Sequence, residues 1–316
     1  MFRYIVKRLL HTIPTLFLLA VGLFILVRVV PGDPVLAMVG ENATPEQIEG
    51  LREQLHLNDP IYTQFLTWLG DLARGDFGNS VQLRRPVTDL IMPRVPVTLT
   101  LALLATLLTV VLAIPAGVVA AAHKGKAADR VALSASLVGV SVPSFFVGMM
   151  LMLVFAVNLR WFPTSGYRPL SEGLWTSLQG FVLPAITLGA LYAAIVTRMS
   201  RTSMLEVLSQ DYVVTAQASG FGRRRILYRH ALKNALIPIV TVVGLNLGSL
   251  LGGSLVTERV FNLPGLGTLL LSSIERRDYP VIQAIVLLVT LTYVVINLIV
   301  DIVYAMLDPR VRYADK

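Results

Sequence analysis

Long apolar runs alternate with polar intervals along this chain, at about residues 9–30, 97–122, 131–158, 179–199, 236–257 and 281–307. Each run reaches the roughly 20 residues that a helix needs to cross a hydrocarbon core of about 30 Å, so the pattern predicts six transmembrane helices. The first run follows Arg3, Lys7 and Arg8, which is also the order of a secretory leader. No small-x-small cleavage site closes it, and a retained helix is expected. The longest polar interval, residues 31–96, carries two amphipathic patterns. Thr44-Pro45-Glu46-Gln47 supplies an N-cap, a proline at the first helical position and a capping-box glutamine ahead of Ile48, Leu51 and Leu55. Between Pro60 and Arg74, residues Ile61, Phe65, Trp68, Leu69 and Leu72 form a second stripe, suited to packing on the membrane-embedded part or to docking an extracytoplasmic partner. The expected fold is an all-α integral membrane protein, with an N-terminal helix and a helical insert over residues 1–96 and a five-helix core over 97–316.

Composition agrees with that pattern. Of 316 residues, 55% are hydrophobic and only 15% charged, too apolar for a soluble domain of this size. A net charge of +8 would suggest nucleic acid in a soluble protein, but here the positions of the basic residues matter more. Sixteen of the 27 Lys and Arg fall in residues 3–8, 124–130, 198–233 and 310–316. The other 11 are spread over the alternate segments among acids such as Asp33, Glu41, Glu46, Asp59, Asp71, Asp76 and Glu258. Six spans place both termini on one side, and the positive-inside rule makes that side the cytoplasm. A nucleic-acid partner is not expected.

Little in the chain can do chemistry by itself. With no cysteine there is no disulfide, thiolate metal site or cysteine nucleophile. A G-x-x-x-x-G-K-[ST] loop is missing; Gly125-Lys126-Ala127 lacks both the spacing glycine and the magnesium-binding hydroxyl, so ATP hydrolysis by this chain is not expected. No H-E-x-x-H occurs, and His11, His56, His123 and His230 lie in separate segments, which argues against an intramembrane metalloprotease and against any metal site. Asp301 lies in the last apolar run and Asp308 at its end, two turns apart, which suits a solvated or paired carboxylate better than a catalytic dyad. Helix-breaking residues mark a route through the spans. Ser141-Val142-Pro143-Ser144 interrupts the third run; Gly244, Gly248, Gly252 and Gly253 line the fifth, a spacing typical of close helix packing. Ser141, Pro143, Asn246 and Ser254 are the pathway candidates, because an amide or hydroxyl against lipid is costly.

One polar, Arg-rich stretch between apolar runs stands out, DYVVTAQASGFGRRRILYRHALKNALIP over residues 211–238. Ser203 with Glu206 three residues on fits a capping box that would start a helix, and Gly220 is placed to end a second short helix in a left-handed conformation. The small residues Ala216, Ala218 and Ser219 let another surface approach closely. Residues 200–235 are thus a cytoplasmic loop suited to being gripped by a soluble partner.

That stretch resembles the cytoplasmic coupling loop of binding-protein-dependent ABC importer permeases, whose pattern is Glu-Ala-Ala, three residues, then Gly. Ala216 and Gly220 match it; Val214 stands where the glutamate would be and Thr215 where the first alanine would be. The peptide branch often reads DYxxTAxAxG followed by HAxxNAxxP, matched by Asp211, Tyr212, Thr215, Ala216, Ala218, Gly220, His230, Ala231, Asn234, Ala235 and Pro238. Pro31-Gly32-Asp33-Pro34, the GDFGNS string at 75–80, Glu258 with Phe261, Pro264-Gly265-Leu266-Gly267, Arg277-Asp278-Tyr279-Pro280 and Asp308-Pro309-Arg310 are similar to the first of the two permeases of dipeptide, oligopeptide, glutathione and nickel importers.

The resemblance implies a type I ABC importer half-channel in the bacterial inner membrane. Its implied partners are a homologous second permease, two cytoplasmic ATPase subunits that bind ATP and magnesium, and an extracytoplasmic substrate-binding protein; this chain itself would bind no cofactor. Asp211, Tyr212, Thr215, Ala216, Ala218, Gly220, His230 and Asn234 would couple to the ATPase. Glu258, Phe261, Pro264, Gly265, Leu266 and Gly267 would form an extracytoplasmic gate, with a plain re-entrant turn as the alternative. Dipeptides are the first substrate expectation, then glutathione or longer oligopeptides, with nickel last. A self-contained secondary transporter is the competing class, but no inverted repeat is evident and Asp301 is the only clear acid inside a span.

Overall fold

Apolar periodicity resolves into helices throughout the computed structural model, which describes residues 2–29, 44–54, 58–168 and 173–307. In chain order they are α1 (Phe2–Val29), α2 (Pro45–Gln54), α3 (Ile61–Ala73), α4 (Val87–Ile91), α5 (Val95–Ala122), α6 (Ala127–Ser141), α7 (Ser144–Asn158), α8 (Leu174–Leu208), α9 (Asp211–Ala218), α10 (Arg223–Val260), α11 (Leu266–Glu275) and α12 (Tyr279–Leu307). Among the described residues the only strand-like pairing is an isolated bridge between Asn79 and Pro86. Four helical stretches are long and apolar enough to cross a membrane, Val87–Ala122, Trp175–Leu208, Arg223–Val260 and Tyr279–Val303. The pair α6 and α7 makes a fifth if counted as one span, while α1, about 42 Å long at 1.5 Å per residue, contributes a shorter apolar stretch at Thr12–Ile25 among the described residues.

The chain divides into two compact units. One comprises residues 2–95 and 268–294. Within it the apolar stripe of α3 packs on α1 through rings: Phe65 lies 5.0 Å from Phe24 and 6.0 Å from Phe17, and Trp68 lies 5.6 Å from Phe24. Packing therefore accounts for Phe65 and Trp68, while Ile61 remains exposed. The proline-first start of α2 at Pro45 and the limits of α3 between Pro60 and Arg74 follow the sequence pattern. The Ile48 and Leu51 side chains, Leu55 and the strings at 31–34 and 308–310 lie outside what is described.

The other unit, residues 96–267 and 295–316, is organised around α8. Small residues let its neighbours approach: a Cβ on Gly117 of α5 would sit 2.4 Å from Ser200 Cβ, one on Gly139 of α6 3.1 Å from Ala194 Cβ, and one on Gly189 of α8 3.0 Å from the Ala105 carbonyl. At the last crossing Thr109 Oγ1 also donates to the Gly189 carbonyl at 3.2 Å. Gly244 of α10 meets Val300 of α12, where a Cβ would lie 2.2 Å from a Val300 methyl, so at that position the glycine serves close packing.

One expectation is sharpened and one needs correction. The interruption expected at Ser141–Ser144 is present and steep: α6 stops at Ser141, Val142 is extended, and α7 restarts after Pro143 at an angle of 104°. Pro143 cannot donate its backbone nitrogen and biases Val142 away from the helical region, which explains the break but not its angle. The Ser203–Glu206 spacing does not start a helix, because α8 runs unbroken through it to Leu208. Met204 is fully buried and Ser203 nearly so, and burial of that face carries the helix on past the lipid-facing run.

Candidate functional site

The chain leaves α8 at Ser209, and Gln210, extended at φ −77° and ψ 147°, starts α9. Asp211 in its first turn complements the positive helix N-terminus. Only Val213 and Ala216, one turn apart, face inward; they pack with Ile226 and Leu208. The other six of the eight residues are exposed, including the apolar parts of Tyr212 and Val214. The helix closes on Gly220 at φ +80°, where the Gly220 N–H reaches the Gln217 carbonyl at 3.0 Å and the Phe221 N–H reaches Ala216 at 3.2 Å. That paired closure is the Schellman arrangement, which needs a residue at ease in the left-handed region.

Two contacts brace this short helix against α10. Asn234 Nδ2 donates to the Tyr212 hydroxyl at 2.7 Å, and the His230 ring stacks on Phe221 at 5.5 Å with the Arg225 guanidinium 4.5 Å from that same ring's centroid. His230 Nε2 is buried with no hydrogen-bond partner among the described residues. Around His230 the backbone widens to i→i+5 bonding over Ile226–Ala231, a feature common at functional positions. Ala231, Ala235 and Ile239 follow at four-residue spacing, fully buried against Ala113, Val118, Ala121, Val196 and Met204. The HAxxNA spacing thus divides its work: alanines seat α10 on the membrane helices, while His230 and Asn234 reach forward to α9. Of the coupling candidates, Ala216 packs inward, Tyr212, His230 and Asn234 form the brace, and Thr215 Oγ1 turns back to the Asp211 carbonyl at 2.9 Å.

Sequence reasoning missed a tie beneath this helix. Arg201 on α8 makes a paired contact with Asp129 on α6, Nε to Oδ1 at 2.5 Å and Nη2 to Oδ2 at 2.9 Å, and the Gly125 N–H donates to Asp129 Oδ2 at 2.8 Å. Asp129 is 3% exposed. Arg223, just past α9, donates to the Ala122 carbonyl at the end of α5. The sequence carried one signal, an acid among Lys124, Lys126 and Arg130 in a loop otherwise counted as basic.

The outer-gate candidates form a closed network. Glu258 lies in the last turns of α10 and is fully buried; its Oε1 accepts from Thr98 Oγ1 at 2.7 Å and Ser254 Oγ at 3.2 Å. Thr98 Oγ1 in turn accepts the Leu266 N–H at 2.8 Å, and the Glu258 carbonyl accepts the Leu263 N–H at 2.8 Å. A Cβ on Gly265 would lie 2.3 Å from the Glu258 carboxyl and one on Gly267 2.5 Å from Leu255 Cα, so the turn is glycine-rich because a carboxylate fills its inside. Pro264 begins this turn, and Phe261 is buried beside Gly148 of α7. Ser254, a pathway candidate, is committed to this network. Ser141 is exposed at the α6–α7 break with its hydroxyl on the Leu137 carbonyl at 2.8 Å, and Asn246 Nδ2 is buried without a hydrogen-bond partner among the described residues.

Comparison with known proteins decides the family. Residues 113–313 match the model of the binding-protein-dependent transport system inner membrane component, and residues 1–102 match the N-terminal model of such membrane components. The chain belongs to the binding-protein-dependent transport permeases. This permease is 44% identical over 313 residues to the glutathione transport system permease protein GsiC of Escherichia coli K12, covering 99% of this chain and 100% of the relative; the same figures hold for GsiC of Shigella dysenteriae serotype 1. Its fold is similar to an inward-facing structure of the MetNI methionine ABC transporter, with a TM-score of 0.56 at 18% identity, covering 69% of the permease and 96% of that chain. It is a type I ABC importer permease of the peptide type, an inner-membrane component whose family implies an ATPase and a substrate-binding protein.

Proposed function

We propose that this permease forms half of the translocation pathway of an ATP-driven importer of small peptides, paired with a homologous second permease and driven by two cytoplasmic ATPase subunits. The observation that carries the reading is α9, a short helix with one buried edge and six exposed residues, braced at Tyr212–Asn234 and Phe221–His230. Such a helix suits a groove on the ATPase. Closure of the ATPase pair displaces α9, the adjoining ends of α8 and α10 follow, and the Asp129–Arg201 tie passes the motion to α6 and the break at Pro143. ATP and magnesium are bound by the ATPase partners, and both termini of the permease lie in the cytoplasm.

Dipeptides remain possible cargo, but similarity to a glutathione permease along the whole chain makes glutathione the first substrate to test. Cells dependent on this importer should take up labelled glutathione and show competition by unlabelled glutathione. Competition by dipeptides alone would return dipeptides to first place, and neither competing would refute a small-peptide cargo.

The outer turn at Glu258–Gly267 is further proposed to close the extracytoplasmic mouth. A reducible crosslink tying this turn to α10, placed away from Gly265 and Gly267 where a Cβ does not fit, should stop uptake when formed and restore it on reduction. Uptake indifferent to the crosslink would leave the turn a structural cap only.

A further inference from the structure

Two polar strings that the coupling mechanism leaves unused, residues 75–80 and 277–280, meet within the unit formed by 2–95 and 268–294. Asp278, 3% exposed, accepts from the Ser80 hydroxyl and from the Val81 N–H, the latter at 3.2 Å. Ser80 Oγ, itself buried, accepts the Leu83 N–H at 2.9 Å, and Gln82 Nε2 donates to the Arg276 carbonyl at 3.2 Å. A carboxylate with those partners fastens the loop at 80–85 to the one at 276–278.

Four guanidinium groups stand on the fastened loops: Arg84, Arg85, Arg276 and Arg277 are all exposed, and none is ion-paired among the described residues. Arg84 at φ 51° and Arg277 at φ 55° occupy the left-handed region that side chains usually avoid, so the loops around them are held in a defined shape. Leu83, 47% exposed, lies in the first loop and Ile274, 51% exposed, in the last turn of α11 beside the second, and Asp76 and Glu275 are exposed acids of this region. The positive-inside rule disfavours such a cluster on an outer face. All 11 basic residues assigned to outer segments are arginine, and all five lysines fall in inner ones. Arginine with exposed apolar neighbours is the composition of protein interfaces, from which lysine is depleted. Lipid headgroups would accept the same charges, but they gain nothing from a fixed left-handed backbone.

We propose that this arginine surface is where the permease's substrate-binding protein docks, through an acidic patch on that partner. The inference rests on the importer reading above, which places both loops outside the membrane. The test uses the complete transporter in nanodiscs of zwitterionic lipid, with the binding protein that stimulates its ATPase activity. Docking of the unsubstituted complex should weaken at least about tenfold between roughly 50 and 300 mM salt. Combining R84Q, R85Q, R276Q and R277Q should slow association about tenfold, with basal ATP hydrolysis and subunit composition unchanged. Docking that ignores salt, or that survives the four substitutions intact, overturns the proposal. Loss of the second permease from the purified variant also overturns it, by placing the patch between subunits, as does a defect seen only with anionic lipid vesicles. Failure of the importer reading is separable: no ATPase subunit would then co-purify with the unsubstituted chain, and neither proposal would stand.

Discussion

Replacing Gly220 with glutamate should cut substrate uptake to below about a tenth while the permease still inserts and the ATPase still turns over. A Cβ at Gly220 meets nothing within 4 Å in this chain, so the substitution creates no internal clash. Its internal cost is the backbone conformation, φ +80°, worth about 1–2 kcal/mol for a side chain in the left-handed region. That is too little to unfold a helix whose neighbours Val213, Ala216 and Ile226 remain buried together. The larger effect is a new charge beside the exposed face of α9. Gly220→Asn separates the two contributions, since asparagine tolerates the left-handed region and adds no charge. It should retain most of the uptake. Equal loss in both variants would assign the defect to backbone strain, and normal uptake by Gly220→Glu would remove α9 as the coupling point.

Breaking the Asp129–Arg201 tie should lower uptake about tenfold without reducing the amount of assembled transporter. Asp129→Asn keeps size and a hydrogen-bonding oxygen for Gly125 but gives up the charge that matches Arg201 on both nitrogens. Under the proposed coupling, ATP hydrolysis should continue while transport falls, because the tie joins α8, which leads into α9, to α6, which ends at the Pro143 break. Exchanging the two residues, Asp129→Arg with Arg201→Asp, restores the pair in reverse and should recover part of the uptake. A double variant no better than Asp129→Asn, or a single variant that transports normally, would make the tie a local structural contact. Comparing ATP hydrolysed per substrate imported makes this a test of coupling as well as stability.

Where the sequence was legible, the reason was local. Spans were visible as runs longer than a bilayer requires, Gly220 as a residue suited to positive φ, and Pro60 and Pro45 as helix starts, each depending on neighbours a few positions away. The string at 211–220 with HAxxNA was recognisable, although the spacing alone did not say that Ala231 and Ala235 are buried while His230 and Asn234 reach α9. Ser203 and Glu206 misled because Ser-x-x-Glu occurs equally well inside a helix, and only burial of Met204 against α5 and α10 tells the two apart. The Asp129–Arg201 pair joins residues 72 positions apart, and no periodic signal carries that register. Glu258 was singled out as part of an outer loop, yet it sits at the end of α10, because the helix continues for as long as its carboxylate can be met by Thr98 and Ser254. A buried carboxylate needs such partners; Ser254 comes from the preceding turn of α10, but Thr98 is contributed by a helix 160 residues away.

The native chain contains no cysteine, so a single cysteine replacing Val214 on the exposed face of α9 reports its surroundings without background. The decisive measurement is its reaction with a membrane-impermeant maleimide in sealed inside-out and right-side-out vesicles, with and without the ATPase subunits. Coupling through α9 requires labelling in inside-out vesicles alone and protection when the ATPase is bound. Labelling from the right-side-out face, or labelling that the ATPase leaves unchanged, would contradict it.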